Sequence, residues 1–116
     1  MRSLAIAVLA LGQGVQAAPL FEDRSSGLPH HVYGGGWEHF VGGGVAVFDC
    51  NDDGLPDLFA AGGENPASLM INTGDFRFVR GELADITAVT GAYPLDIDGD
   101  GILDLFVVRA GRNLAL

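Results

Sequence analysis

The chain of 116 residues has no lysine, one cysteine and no Asn-x-Ser/Thr acceptor. Its longest apolar run, residues 4–11, falls far short of the roughly 20 apolar residues of a membrane-spanning helix. Each absence excludes something. Without lysine, and with Arg24, Arg77, Arg80, Arg109 and Arg112 scattered, there is no basic track for a nucleic-acid backbone. A lone cysteine forms no internal disulfide. The triple glycines at 34–36 and 42–44 lack the Gly-Lys-Ser/Thr of a phosphate loop, and no Gly-x-Ser-x-Gly nucleophile elbow occurs. His30, His31 and His39 match no zinc-ligand spacing. No catalytic residue is therefore assigned, and the chain reads as a binding or structural module, not an enzyme. No amphipathic helix of useful length is legible either.

The first residues follow a secretory pattern: Arg2, the apolar run, then Val15-Gln16-Ala17 with small residues before a cleavage point at Ala18. Residues 1–17 are expected to be a signal peptide and the product to be secreted, extracellular or periplasmic. No cysteine follows the run, which argues against a lipid anchor.

What the chain does have is acid, and most of it lies in two places. The net charge is −9, and eight of the fifteen Asp and Glu fall within residues 49–57 and 96–104. These stretches read Asp49-Cys50-Asn51-Asp52-Asp53-Gly54-Leu55-Pro56-Asp57 and Asp96-Ile97-Asp98-Gly99-Asp100-Gly101-Ile102-Leu103-Asp104, each followed by Leu-Phe. Both carry oxygen-bearing side chains at positions 1, 3, 5 and 9 and glycine at position 6. Hard cations take roughly six to eight oxygen ligands, and alternate residues of a tight loop can turn their carboxylates inward. The expected side-chain ligands are Asp49, Asn51, Asp53 and Asp57, then Asp96, Asp98, Asp100 and Asp104. The carbonyls of Leu55 and Ile102 are expected to join them. An EF-hand would need a bidentate Glu at position 12, where Ala60 and Val107 stand. Mg²⁺ demands stricter octahedral geometry, so two Ca²⁺ sites are the expectation. Cys50, at a non-ligand position, reads as a small side chain packed behind the first loop.

The two loops begin 47 residues apart, and the same offset superposes Gly44 on Gly91. Around them lie short apolar segments bounded by glycine: Val45-Ala46-Val47-Phe48, Leu58-Phe59-Ala60-Ala61, and the denser run over residues 102–108. These predict buried strands, with each acidic loop joining an antiparallel pair. Ser68-Leu69-Met70-Ile71 is a further strand, turning through Asn72-Thr73-Gly74-Asp75 into Phe76-Arg77-Phe78-Val79. Repeats of this length built from about four short strands predict an all-β chain of propeller blades. Propellers have about four to eight blades. Two copies, the second ending in mid-pattern, are expected to be the N-terminal piece of a longer, incomplete propeller over residues 18–116.

The pattern Asp-x-Asx-x-Asp-Gly-x-x-Asp-Leu-Phe resembles the FG-GAP/VCBS repeat, the calcium-loop blade also found in integrin α-subunit propellers. The segment Phe21-Glu22-Asp23-Arg24-Ser25-Ser26-Gly27-Leu28 is similar to the opening of the cartilage acidic protein/ASPIC–UnbV group. Residues 65–72 and Gly74-Asp75-Phe76-Arg77-Phe78 resemble further pieces of that group, with Met70 and Phe76 standing where it has tyrosine and glycine. The resemblance implies a seven-bladed calcium propeller used for cell adhesion, binding an extracellular protein or glycan. It also leaves an alternative: a secreted propeller lyase or hydrolase whose catalytic residues lie in other blades.

Overall fold

Glycine-bounded runs of alternating apolar residues form the strands in the computed structural model, which describes residues 18–116; the expected signal peptide lies outside them. The described residues form seven strands: β1 (Val45–Phe48), β2 (Asp57–Ala60), β3 (Ser68–Asn72), β4 (Phe78–Arg80), β5 (Val89–Leu95), β6 (Asp104–Arg109) and β7 (Leu114–Ala115). They pair antiparallel throughout, as a four-stranded sheet β1-β2-β3-β4 and a three-stranded sheet β5-β6-β7. The described helical content is two single 3₁₀ turns, Ser25–Gly27 and Trp37–His39. No helix among the described residues is long and apolar enough to cross a membrane. The all-β expectation holds, and each acidic loop joins the first two strands of its sheet, β1 to β2 and β5 to β6.

Two boundaries differ from the sequence reading. The hairpin strand expected from Phe76 begins at Phe78, because Asp75 and Phe76 both adopt positive φ, 52° and 56°. Thr73 N–H donates to the Arg77 carbonyl and Arg77 N–H to the Gly74 carbonyl, so the turn takes up residues 73–77. In the second sheet Ile102 and Leu103 stay exposed in the loop, and the strand starts at Asp104.

The sheets share one core. Ala46, Phe59, Ala61 and Ala67 meet Ile86, Val89, Ala92, Leu105 and Val107, with Phe59, Val89 and Val107 fully buried. Backbone bonds stitch the same seam: Gly44 N–H donates to Thr90 O at 3.1 Å, and Gly63 N–H to Val89 O at 2.9 Å. The outward faces stay apolar and open, with Val45, Val47 and Tyr93 more than half exposed.

Gly44 and Gly91, matched by the repeat, meet in space. A Cβ on Gly44 would stand 2.9 Å from Gly91 Cα and 3.3 Å from Thr90 O, whereas one on Gly91 would meet nothing within 4 Å. Backbone cannot yield as a flexible side chain does. Gly44→Ala is expected to destabilise the protein by about 1–3 kcal/mol. Gly91→Ala should stay within about 0.5 kcal/mol of the parent. Urea denaturation of the two variants reads the asymmetry.

Candidate metal centre

The two acidic loops fold the same way because their side chains cap their own backbones. In the first, Asp49 accepts from Asp53 N–H at 3.2 Å and Gly54 N–H at 2.8 Å, and Asp53 accepts from Leu55 N–H at 2.8 Å. In the second, Asp96 accepts from Asp100 N–H at 3.1 Å and Gly101 N–H at 3.0 Å, and Asp100 from Ile102 N–H at 2.8 Å. Position 3 repeats as well, with Asn51 and Asp98 each accepting the N–H of position 5 at 3.2 Å. Such Asx turns are what short oxygen-bearing side chains do in tight loops. The glycines at position 6 are left-handed, φ 81° at Gly54 and 88° at Gly101, a conformation that a Cβ disfavours. Position 4 is left-handed too, at Gly99 and at Asp52, whose side chain is exposed as its non-ligand placement implies.

Position 9 closes each loop. Asp57, at the start of β2, is completely buried; it accepts from Cys50 N–H at 3.0 Å and, across the sheet, from Asn72 N–H at 2.8 Å. Burial alone would raise this carboxyl. The Cys50 thiol and the Asn72 and Cys50 N–H groups outweigh burial and leave it below the ordinary carboxylate value. Asp104 is only half-buried and accepts from Ile97 N–H at 3.0 Å.

The loops differ in how far their acids converge. Asp96, Asp98 and Asp104 bring carboxylate oxygens within 4.8 Å of one another, a cluster able to hold a metal ion. Asp100 stands outside that trio, and among the described residues the first loop has no such three-acid group. There Asn51 occupies position 3, and its amide N–H₂ donates to Asp53 Oδ2 at 2.9 Å. The donor set fits a hard divalent cation: it is all oxygen, and the like charges of the second loop repel until a cation sits among them.

Cys50 is not the apolar plug expected. The residue is exposed, yet its thiol lies against the Asp57 carboxylate. Partial burial, then that carboxylate, push the thiol up to about 11. Asn72 is the residue that sequence reasoning passed over. Besides holding Asp57, it donates from Nδ2 to Pro56 O at 3.0 Å and accepts Gly74 N–H at 2.9 Å. Its only local signal is the Asn-Thr-Gly turn that it opens. His31 also has a structural place, with Nδ1 2.9 Å from Ser68 Oγ and Nε2 2.7 Å from Ala61 O.

The model of the FG-GAP-like repeat family matches residues 49–107, from the first residue of the first loop to the middle of β6 and across half of the chain. No curated protein and no solved structure matches the chain significantly.

Proposed function

Because the chain belongs to the FG-GAP-like repeat family, we propose that it is a calcium-stabilised propeller segment serving outside the cytoplasm as an adhesion or protein/glycan-binding scaffold, and not as an enzyme. The observation that carries this reading is the pair of loops. Two stretches 47 positions apart share the same side-chain-to-backbone hydrogen bonds at positions 1 and 5, each placed between the first two strands of its sheet. Asp49, Asn51, Asp53 and Asp57 with the Leu55 carbonyl, and Asp96, Asp98, Asp100 and Asp104 with the Ile102 carbonyl, would hold one Ca²⁺ each. The ions would supply charge neutralisation and rigidity at one end of the sheets. The apolar outward faces of β1 and β5 suit stacking against further blades. The leader-like pattern of residues 1–17 and the millimolar calcium outside cells, where such modules bind at about 10⁻⁴–10⁻³ M, support the same placement. Within the family, the segment over residues 21–28 supports the cartilage acidic protein/ASPIC–UnbV group.

The test is a thermal melt of the whole chain in calcium and in EDTA. At a calcium level about 100-fold above Kd, each site adds about 2.7 kcal/mol, so chelation should lower Tm by about 10 °C or more. Asp53→Ala or Asp100→Ala should remove part of the calcium-dependent increment, and the double variant all of it. A melting curve indifferent to EDTA would refute the calcium reading.

A further inference from the structure

We infer that Glu38, His39 and Glu64 form a separate binding site for one divalent transition-metal ion of the Zn²⁺ class. One ligand atom from each of the three residues lies within 4.8 Å of the other two. The independent sign is His39, which is only 4% exposed and whose Nδ1 and Nε2 both lack a hydrogen-bond partner. Buried polar atoms are almost always paired, and a buried imidazole with two unpartnered nitrogens beside two carboxylates has the donor set of a metal site.

The surroundings hold the histidine and leave room for the ion. His39 closes the 3₁₀ turn Trp37–His39, and its carbonyl accepts both Tyr33 Oη–H at 2.6 Å and Gly42 N–H at 3.1 Å. Glu64 comes from the loop between β2 and β3 and is anchored by Gly36 N–H, 2.9 Å from its Oε1. The two glycines between these elements keep a hollow open. A methyl on Gly35 would stand 2.7 Å from His39 Nδ1 and 3.0 Å from Glu64 Cγ; one on Gly36 would stand 3.3 Å from Glu38 Oε2 and 3.5 Å from Glu64 Oε1. Ligand atoms of a tetrahedral zinc site are about 3.4 Å apart, from bonds of about 2.0–2.1 Å. The exposed Glu38 and Glu64 side chains can close that difference onto the fixed imidazole. The nitrogen donor separates this site from the all-oxygen loops, since imidazole suits Zn²⁺, Cu²⁺, Ni²⁺ or Fe²⁺ and not Ca²⁺. Three protein ligands leave a coordination position open to water or to a ligand from a partner.

Titration of the whole chain with Zn²⁺ in excess Ca²⁺, which keeps the hard-cation loops out of the reading, tests the assignment through competition with a chromogenic zinc indicator. One Zn²⁺ per chain is expected. Glu38→Gln and Glu64→Gln should each weaken binding about tenfold or more while preserving the far-ultraviolet circular dichroism spectrum, because both side chains are exposed. Co²⁺ should give visible absorption bands in the parent that His39→Gln abolishes. Absence of Zn²⁺ binding in the parent, or affinity unchanged in both glutamate variants, overturns the site. Neither outcome depends on whether the acidic loops take calcium.

Discussion

Asp57→Ala should destabilise the protein by about 3 kcal/mol or more even in EDTA. The carboxylate is completely buried, and its removal strands the N–H groups of Cys50 and Asn72. An orphaned buried donor costs about 1–3 kcal/mol, and two are left here with a small cavity beside them. Asp104→Ala, its counterpart in the second loop, gives up one backbone contact at a half-buried site and should cost about 1 kcal/mol. Urea denaturation in EDTA isolates this difference; equal losses would show that the buried contacts of Asp57 carry no more stability than those of Asp104. The sign with pH follows from the depressed carboxyl. Its stabilisation is complete above the ordinary value of 3.8 and is lost as pH falls below that value through the folded-state value. Asp57→Asn should flatten the acid limb of the stability profile in that range.

Phe59→Ala should be equally severe, at about 3–5 kcal/mol. The ring is wholly buried in a core that draws on both sheets, so its loss removes the surface that each sheet presents to the other. The two sheets should therefore lose stability together, with one transition by circular dichroism and a common opening free energy for β2 and β6 amides by hydrogen exchange. Phe76→Ala supplies the contrast: that ring is 70% exposed, and truncation should stay within about 0.5 kcal/mol. A Phe59→Ala variant near the parent's urea midpoint would mean that the sheets do not share this core.

The loops were legible because their chemistry is local: ligand spacing, the glycine at position 6 and the flanking apolar runs all lie within a dozen residues. The strands were legible for the same reason, and the hairpin connections followed. Long-range closure was not. Nothing near Asp57 in the chain says that Asn72 N–H will meet its carboxylate, and nothing near His39 points to Glu64. The repeat registered Gly44 and Gly91 as equivalent, but only the packed sheets show that they touch. Phe76 misled for a different reason. A bulky apolar residue after a turn predicts a strand, yet its left-handed backbone, where its resemblance group carries glycine, delays β4 to Phe78.

Side-chain size across the seam between the sheets has a geometric consequence. At the β1–β5 line the small residues Gly44, Ala46, Gly91 and Ala92 meet, with Val89 at the start of β5 beside them; one strand outward, on β2 and β6, the core residues are Phe59, Leu105 and Val107. Small groups on one side and large ones on the other make a wedge, and its angle is set by residue volumes. Sheets joined repeatedly through such wedges curve toward the glycine side, so the radius of the resulting ring is encoded in the step from glycine to phenylalanine. Adding a side chain at 44 would open the narrow side and flatten the curve; shortening the one at 59 would close the wide side and flatten it too.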